Sequence, residues 1–91
     1  MLHIVKSPLA LEEINKVYLE SDAVILIQDA VYAANPQHNL YSALNSFNIF
    51  ALQSDLEARG VINQVSSAVN IIDYDGFVTL TAKHRNSLTW D

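Results

Sequence analysis

The groups in this chain that could do chemistry are carboxylates, imidazoles and one basic cluster. The sequence has no cysteine, which excludes disulfides, thiolate metal sites, thiol nucleophiles and persulfide carriage on the chain itself. Asp29 follows the apolar run Ala23–Ile27, and Asp73 follows Ala68–Ile72, so each stands where a strand hands over to a helix. Aspartate there can serve a polar site at a strand's carboxyl end or cap the helix by accepting one of its unpartnered N–H groups. The spacing favours capping for Asp29. Asp73 and Asp75 invite a two-carboxylate acid–base reading, yet so close together at a helix start they suit a cap and a helix-dipole partner. His3, His38 and His84 lack the i, i+4 spacing or the companion cysteines of a metal site, so neither metal nor cofactor is expected. His84, in Lys83-His84-Arg85, suits a helix carboxyl end, and the same trio could meet a partner's acidic patch or a nucleic-acid phosphate. Among the aromatic residues Tyr32, Tyr41, Phe47, Phe50 and Trp90, Tyr32 and Trp90 lie near polar edges and are the interface candidates. Asp29, Tyr32, His84 and Trp90 are thus the residues to watch, and no catalytic residue is assigned.

The elements that must position these groups alternate. Leu2–Val5 is apolar and β-branched, and Ser7-Pro8 follows as an N-cap with proline in the first turn. Leu11, Ile14 and Tyr18, with Ala10 and Val17 beside them, recur at helical spacing and should cover a sheet until Ser21-Asp22 breaks the helix. Ala23–Ile27 is continuously apolar, as a parallel strand buried on both faces should be. Ala30–Ala34 then suits a helix, Asn35–Asn39 a polar loop, Leu40–Leu44 a short helix and Phe47–Leu52 a third strand. Ser54-Asp55-Leu56-Glu57-Ala58-Arg59-Gly60 reads as two helical turns with a glycine C-cap, its charges suited to the helix dipole. After a connector, Ala68–Ile72 is a fourth strand, Tyr74–His84 a helix with Phe77, Leu80, Thr81 and His84 on one face, and Leu88–Trp90 a short last strand. Such alternation predicts an α/β fold: a three-layer, mostly parallel sheet of four or five strands with helices on both faces. Sites would gather at the strand ends Gln28-Asp29, Gln53-Ser54 and Asp73-Tyr74.

With 91 residues, the chain is expected to form one domain. Hydrophobic residues make up 51% of it and charged residues 16%, which is too apolar for disorder and rich enough to imply contact with another subunit. Its longest apolar runs fall far short of the roughly 20 residues a membrane span needs, and the amino terminus has no signal-peptide layout; the cytoplasm is the expected compartment. A formal charge of −5 disfavours direct binding to a polyanion. The chain has only two glycines, and no glycine-rich phosphate loop or nucleophile elbow is present.

Five segments in order carry a resemblance: Met1–Val5 (MLHIV), Leu26–Ala34 (LIQDAVYAA), Ala51–Val61 (ALQSDLEARGV), Ile71–His84 (IIDYDGFVTLTAKH) and Leu88–Trp90 (LTW). Together they resemble the TusB/DsrH family over nearly the whole chain. The resemblance implies a DsrE-like, flavodoxin-like fold over residues 1–91 and a place in a cytoplasmic heterohexamer with sister TusC-like and TusD-like subunits. That complex relays persulfide sulfur for 2-thiolation of the tRNA wobble uridine, and its relay cysteine belongs to the D subunit. The implied role is therefore a non-catalytic structural subunit, linked to tRNA only indirectly; a homodimer is one open option for the isolated chain. Two departures stand out. The family's Gln-Asp-Gly-Val pattern is Gln28-Asp29-Ala30-Val31 here, so the turn cannot use a glycine at that third position. Some DsrH-type members also carry a cysteine that this chain lacks. The alternative from another class is a small-ligand-binding or signalling α/β module; an independent hydrolase or transferase has no nucleophile–base pair to support it.

Overall fold

The computed structural model describes residues 1–91. Five strands, β1 (Leu2–Val5), β2 (Ala23–Leu26), β3 (Ile49–Leu52), β4 (Asn70–Ile72) and β5 (Ser87–Trp90), form one sheet in the order β4-β3-β2-β1-β5. Every neighbouring pair is parallel. The first three connections step across the sheet in one direction. Right-handed crossovers therefore stack their helices on one face: α1 (Leu11–Asn15), α2 (Gln53–Ala58) and the 3₁₀ segments between them. The connection from β4 to β5 runs back across the whole sheet, which puts α3 (Tyr74–Lys83) on the other face. Burial follows this division. Val5, Val24, Leu26, Ile49 and Ala51 pack with Leu11, Ile14, Val31 and Leu56 on the first face. Leu2, Ala23 and Ile25 pack with Leu80 on the second. β2 is buried at all four positions, as its unbroken apolar run predicts.

Local chemistry explains the helix ends. Ser7 Oγ accepts from the amide of Leu9, and Pro8 opens a 3₁₀ turn that leads into α1. Asp73 caps α3 through its Oδ1, which accepts from Gly76 N at 2.8 Å. Gly60, at φ 70°, lets the end of α2 close by two bonds, Gly60 N to Glu57 O and Val61 N to Leu56 O, a Schellman arrangement. Other expectations are corrected. α1 stops at Asn15 and the chain turns away, leaving Val17 53% exposed instead of packed on the sheet. β3 and β4 are shorter than their apolar runs, and Phe47 packs on Tyr18 outside the sheet with ring centroids 4.6 Å apart. Thr81 is exposed, so the buried face of α3 rests on Leu80 with Phe77 partly covered.

The amino ends of the strands are held by a buried polar group. Asp22, expected to be a helix breaker, is 4% exposed. Its Oδ2 accepts from Leu19 N and pairs with His3 Nε2, both at 3.0 Å, and its Oδ1 meets the Met1 amino group at 2.9 Å. Trp90 Nε1 lies 3.2 Å from His3 Nδ1. An indole N–H only donates, so Nδ1 accepts, and the imidazole carries its proton on Nε2 and gives it to Asp22. Tyr18 adds a further tie, its hydroxyl donating to Asp22 O and accepting from Asn48 N. Burial acts to raise the Asp22 pKa; the bonds from His3, Leu19 and the amino group outweigh it and hold the carboxyl at about 2 against an ordinary 3.8. A lowered folded-state pKa means stability that is complete above the unfolded value and is lost as pH falls through the folded one. Urea denaturation should therefore show about 2 kcal/mol of stability disappearing between roughly pH 4 and pH 2 through this group. Asp22→Ala should cost about 3 kcal/mol at neutral pH and flatten that acid limb.

Candidate functional site

Polar groups converge at the carboxyl ends of β2 and β3. β2 leaves the sheet through Gln28, whose φ of 50° makes it the one non-glycine residue in the left-handed region. Its amide donates to Asp55 Oδ2 at 2.8 Å, and Asp55 stands in the first turn of α2. The strain thus falls two residues before Ala30, which is fully buried in a 3₁₀ helix spanning Gln28–Ala34. That helix repeats every three residues. Ala30 and Ala33, like Val31 and Ala34, point inward, while Asp29, Tyr32 and Asn35 fall on the opposite stripe.

The stripe forms one wall of an open cleft of about 600 Å³, which Pro8, Gln37, His38, Val61 and Gln64 complete. Asn35 Oδ1 accepts from Gln37 N, closing the loop into a tight turn, and its Nδ2 reaches Gln64 Oε1 at 3.4 Å. His38 Nδ1 accepts from Leu40 N. Tyr41 and Ser66 share a hydroxyl bond of 2.7 Å behind the loop, and Ser66 N donates to Ala34 O. Asp29 is no cap: Ile27 holds that position without a side-chain bond. Instead Asp29 Oδ1 lies 3.0 Å from Arg59 Nε, and Arg59 Nη1 lies 3.5 Å from Asp55. Asp29 loses the capping role because the chain leaves β2 through a left-handed residue, which turns its side chain out towards α2.

Chemically, the cleft offers amides, a phenol, an imidazole and a carboxylate already neutralised by Arg59. That set can hydrogen-bond a polar group. The cleft lining includes no serine, threonine or cysteine, so it holds no activated nucleophile of those types. No group of three His, Cys, Asp or Glu side chains converges as a metal-binding set. Of the four residues singled out by sequence, Asp29 and Tyr32 meet at this cleft. His84 is the half-buried C-cap of α3, and Trp90 lies in β5 with its indole bound to His3. Sequence reasoning missed Asp55 and Arg59 as partners of the β2 turn, and Gln64 and Pro8 as cleft walls. Asp55 and Arg59 lie 27 and 30 residues from Gln28 and Asp29, the groups they bond, and no local pattern signals such a pairing. The Asp22–His3 pair resembles a catalytic dyad, but Trp90 and Asp22 occupy both ring nitrogens, which leaves none to move a proton.

A three-layer α/β fold with an all-parallel sheet and an open polar cleft at its strand-end rim is the class the geometry defines. Its fold matches the crystal structure of the ychN protein from E. coli with a TM-score of 0.72, covering 98% of this chain and 97% of that one at 16% identity. A family model described as DsrH like protein matches residues 6–87. Protein TusB of Photorhabdus laumondii is 42% identical over 79 residues, 85% of this chain and 83% of its own length. Protein TusB of Escherichia coli K12 is 38% identical over 78% of this chain and 77% of its own. The chain belongs to the TusB/DsrH family.

The turn after β2 separates two carboxylates by function. Asp55→Ala should destabilise the protein by about 1 to 2 kcal/mol, because the Gln28 amide loses its charged acceptor. Asp29→Ala, which removes an exposed ion pair, should cost no more than about 0.5 kcal/mol. Urea midpoints of the two variants, compared at equal slope, check the difference.

Proposed function

We propose that this chain is a non-catalytic structural subunit of a cytoplasmic complex that relays persulfide sulfur for 2-thiolation of the tRNA wobble uridine. Its partners are TusC-like and TusD-like sister subunits in a heterohexamer. Family membership supports the reading, and one observation about this chain carries its non-catalytic part. A persulfide forms on a cysteine sulfur, and the sequence has none. The sulfur must therefore ride on a sister subunit while this chain contributes assembly surface, its link to tRNA remaining indirect. Residues 1–91 act as one DsrE/DsrH-like domain in this role, with Asp29, Tyr32, His84 and Trp90 as interface residues. The polar stripe of the cleft favours one other reading, a site for a small polar ligand in a stand-alone module.

Co-expression with the sister subunits separates the two. The chain should co-purify with them at constant stoichiometry, and cells lacking it should lose 2-thiouridine from bulk tRNA when nucleosides are quantified by mass spectrometry. A chain that elutes alone, in cells whose thiouridine content does not depend on it, would instead support the ligand-binding module. Tyr32→Ala should weaken co-purification about tenfold or more if its ring is buried at the interface.

A further inference from the structure

The last strand leaves one edge of the sheet open. β5 ends the strand order and pairs only with β1. The amides of Leu2 and Lys6 donate to the carbonyls of Asn86 and Trp90. Alternate residues of β5 thus turn their backbone towards β1, and the residues between them, Ser87 and Thr89, turn N–H and C=O outward. Open edges are usually guarded by lysine, proline or a bulge. Ser87-Leu88-Thr89-Trp90 has no charge and no proline, and it pairs with β1 in unbroken register. Leu88, between the two outward residues, is 44% exposed.

Charges of opposite sign flank this strand. Arg85 precedes it and Asp91 follows it. Of the five Lys and Arg residues, Lys6, Lys16 and Arg59 each meet a carboxylate within the chain; Lys83 and Arg85 meet none. The contact of Asp91 with Lys6 is 3.5 Å long and its side chain is 87% exposed, which leaves the carboxylate open to a second cation.

We propose that the open edge of β5 binds β5 of a second copy of this chain, antiparallel about a two-fold axis through Leu88. Geometry selects the register. Antiparallel residues that exchange both backbone bonds must turn their backbones towards each other. Ser87 therefore pairs with Thr89 of the second copy, and Thr89 with its Ser87, a serine–threonine pairing that also suits the side chains. Leu88 then faces its own counterpart in the closely spaced position without hydrogen bonds. It does so beside an apolar groove of about 400 Å³ lined by Met1, Val17, Leu19, Leu88 and Trp90. The same register sets Arg85 opposite Asp91 of the second copy, and the two-fold axis makes that match twice. Of the two open edges, only β5 is flanked in sequence by charges of opposite sign: β4 is three residues long, is followed by Asp73 and Asp75, and is preceded by no basic residue in Ser66-Ser67-Ala68-Val69. The pairing follows from the strand alone and does not depend on the sulfur-relay reading.

The isolated full chain tests it. Light scattering should give about twice the monomer mass of 10.1 kDa. In this cysteine-free chain, Leu88→Cys should oxidise to a covalent dimer, since residues facing each other in such a pair lie about 4.5 Å apart at Cα, within disulfide reach. Leu9→Cys, at a site 78% exposed elsewhere on the surface, should stay monomeric on a non-reducing gel. Thr89→Pro should abolish the dimer and leave the far-ultraviolet circular dichroism spectrum of the folded chain unchanged, because the Thr89 amide takes no part in pairing with β1. Arg85→Asp should weaken the dimer, and adding Asp91→Arg should restore it. A monomeric mass at every concentration, a dimer that Thr89→Pro leaves intact, or cross-linking of Leu88→Cys to a sister subunit in place of itself would each overturn the proposal.

Discussion

Burying one carboxylate sets much of this structure. An unpaired charge costs several kcal/mol when taken out of water, so Asp22 is tolerated only because three donors converge on it and a fourth steadies one of them. Those donors are the Met1 amino group, the His3 imidazole at the start of β1, the Leu19 amide after α1 and, through His3, the Trp90 indole of β5. The carboxylate holds the imidazole in one tautomer, the imidazole holds the indole, and the indole seats the last strand against the first. A strand added at the end of the chain is thereby secured by a group at the start of β2. This arrangement compensates for a local weakness: β5 has exposed or half-exposed side chains at every position, so its own apolar burial contributes little.

The crossover pattern then decides which surfaces remain available. Three successive crossovers in one direction fill the first face with short helices, and the single return crossover leaves α3 to cover the second. One helix of ten residues cannot shield five strands. Ile4, Ile27, Phe50, Ile72 and Phe77 stay partly uncovered on that face, and Tyr74 and Val78 on α3 are exposed. The apolar excess of the composition therefore does not all go into the core. Much of it stands on the α3 face and beside β5, where an obligate neighbour would bury it.

What sequence made legible was whatever a few adjacent residues decide. The strand Leu2–Val5, the Ser7-Pro8 start, the Asp73 cap and the glycine stop at Gly60 are each set by local backbone and capping chemistry, and all four stand as expected. The parallel α/β order followed from the continuous apolar run of β2 and the regular alternation of elements. The site was less legible because distant partners build it. Asp29 carries the local signature of a cap, and only the left-handed turn at Gln28 and an arginine 30 residues away give it a different role. The three-residue repeat that lines up Asp29, Tyr32 and Asn35 was hidden for another reason: Ala30–Ala34 suits an α-helix and a 3₁₀ helix almost equally, and tight packing of small alanines against β2 selects the latter.

Electrostatics link the rim to the edge. Read as composition, the chain is acidic and its strand ends carry aspartates, which suggests a negative rim. In the structure Arg59 sits between Asp29 and Asp55, and Asp55 is further engaged by the Gln28 amide, so the rim presents little free negative charge. The left-handed Gln28 costs about 1 kcal/mol or more, and Asp55 offsets that cost with a charge-assisted bond. Carboxylates at the rim are thus spent on holding the backbone in place, while the two bases without an internal partner, Lys83 and Arg85, stand together where α3 gives way to β5. A chain short of basic residues leaves these two unmatched at one end of an unguarded strand and a carboxylate at the other. Charge and backbone geometry therefore direct association to the same edge.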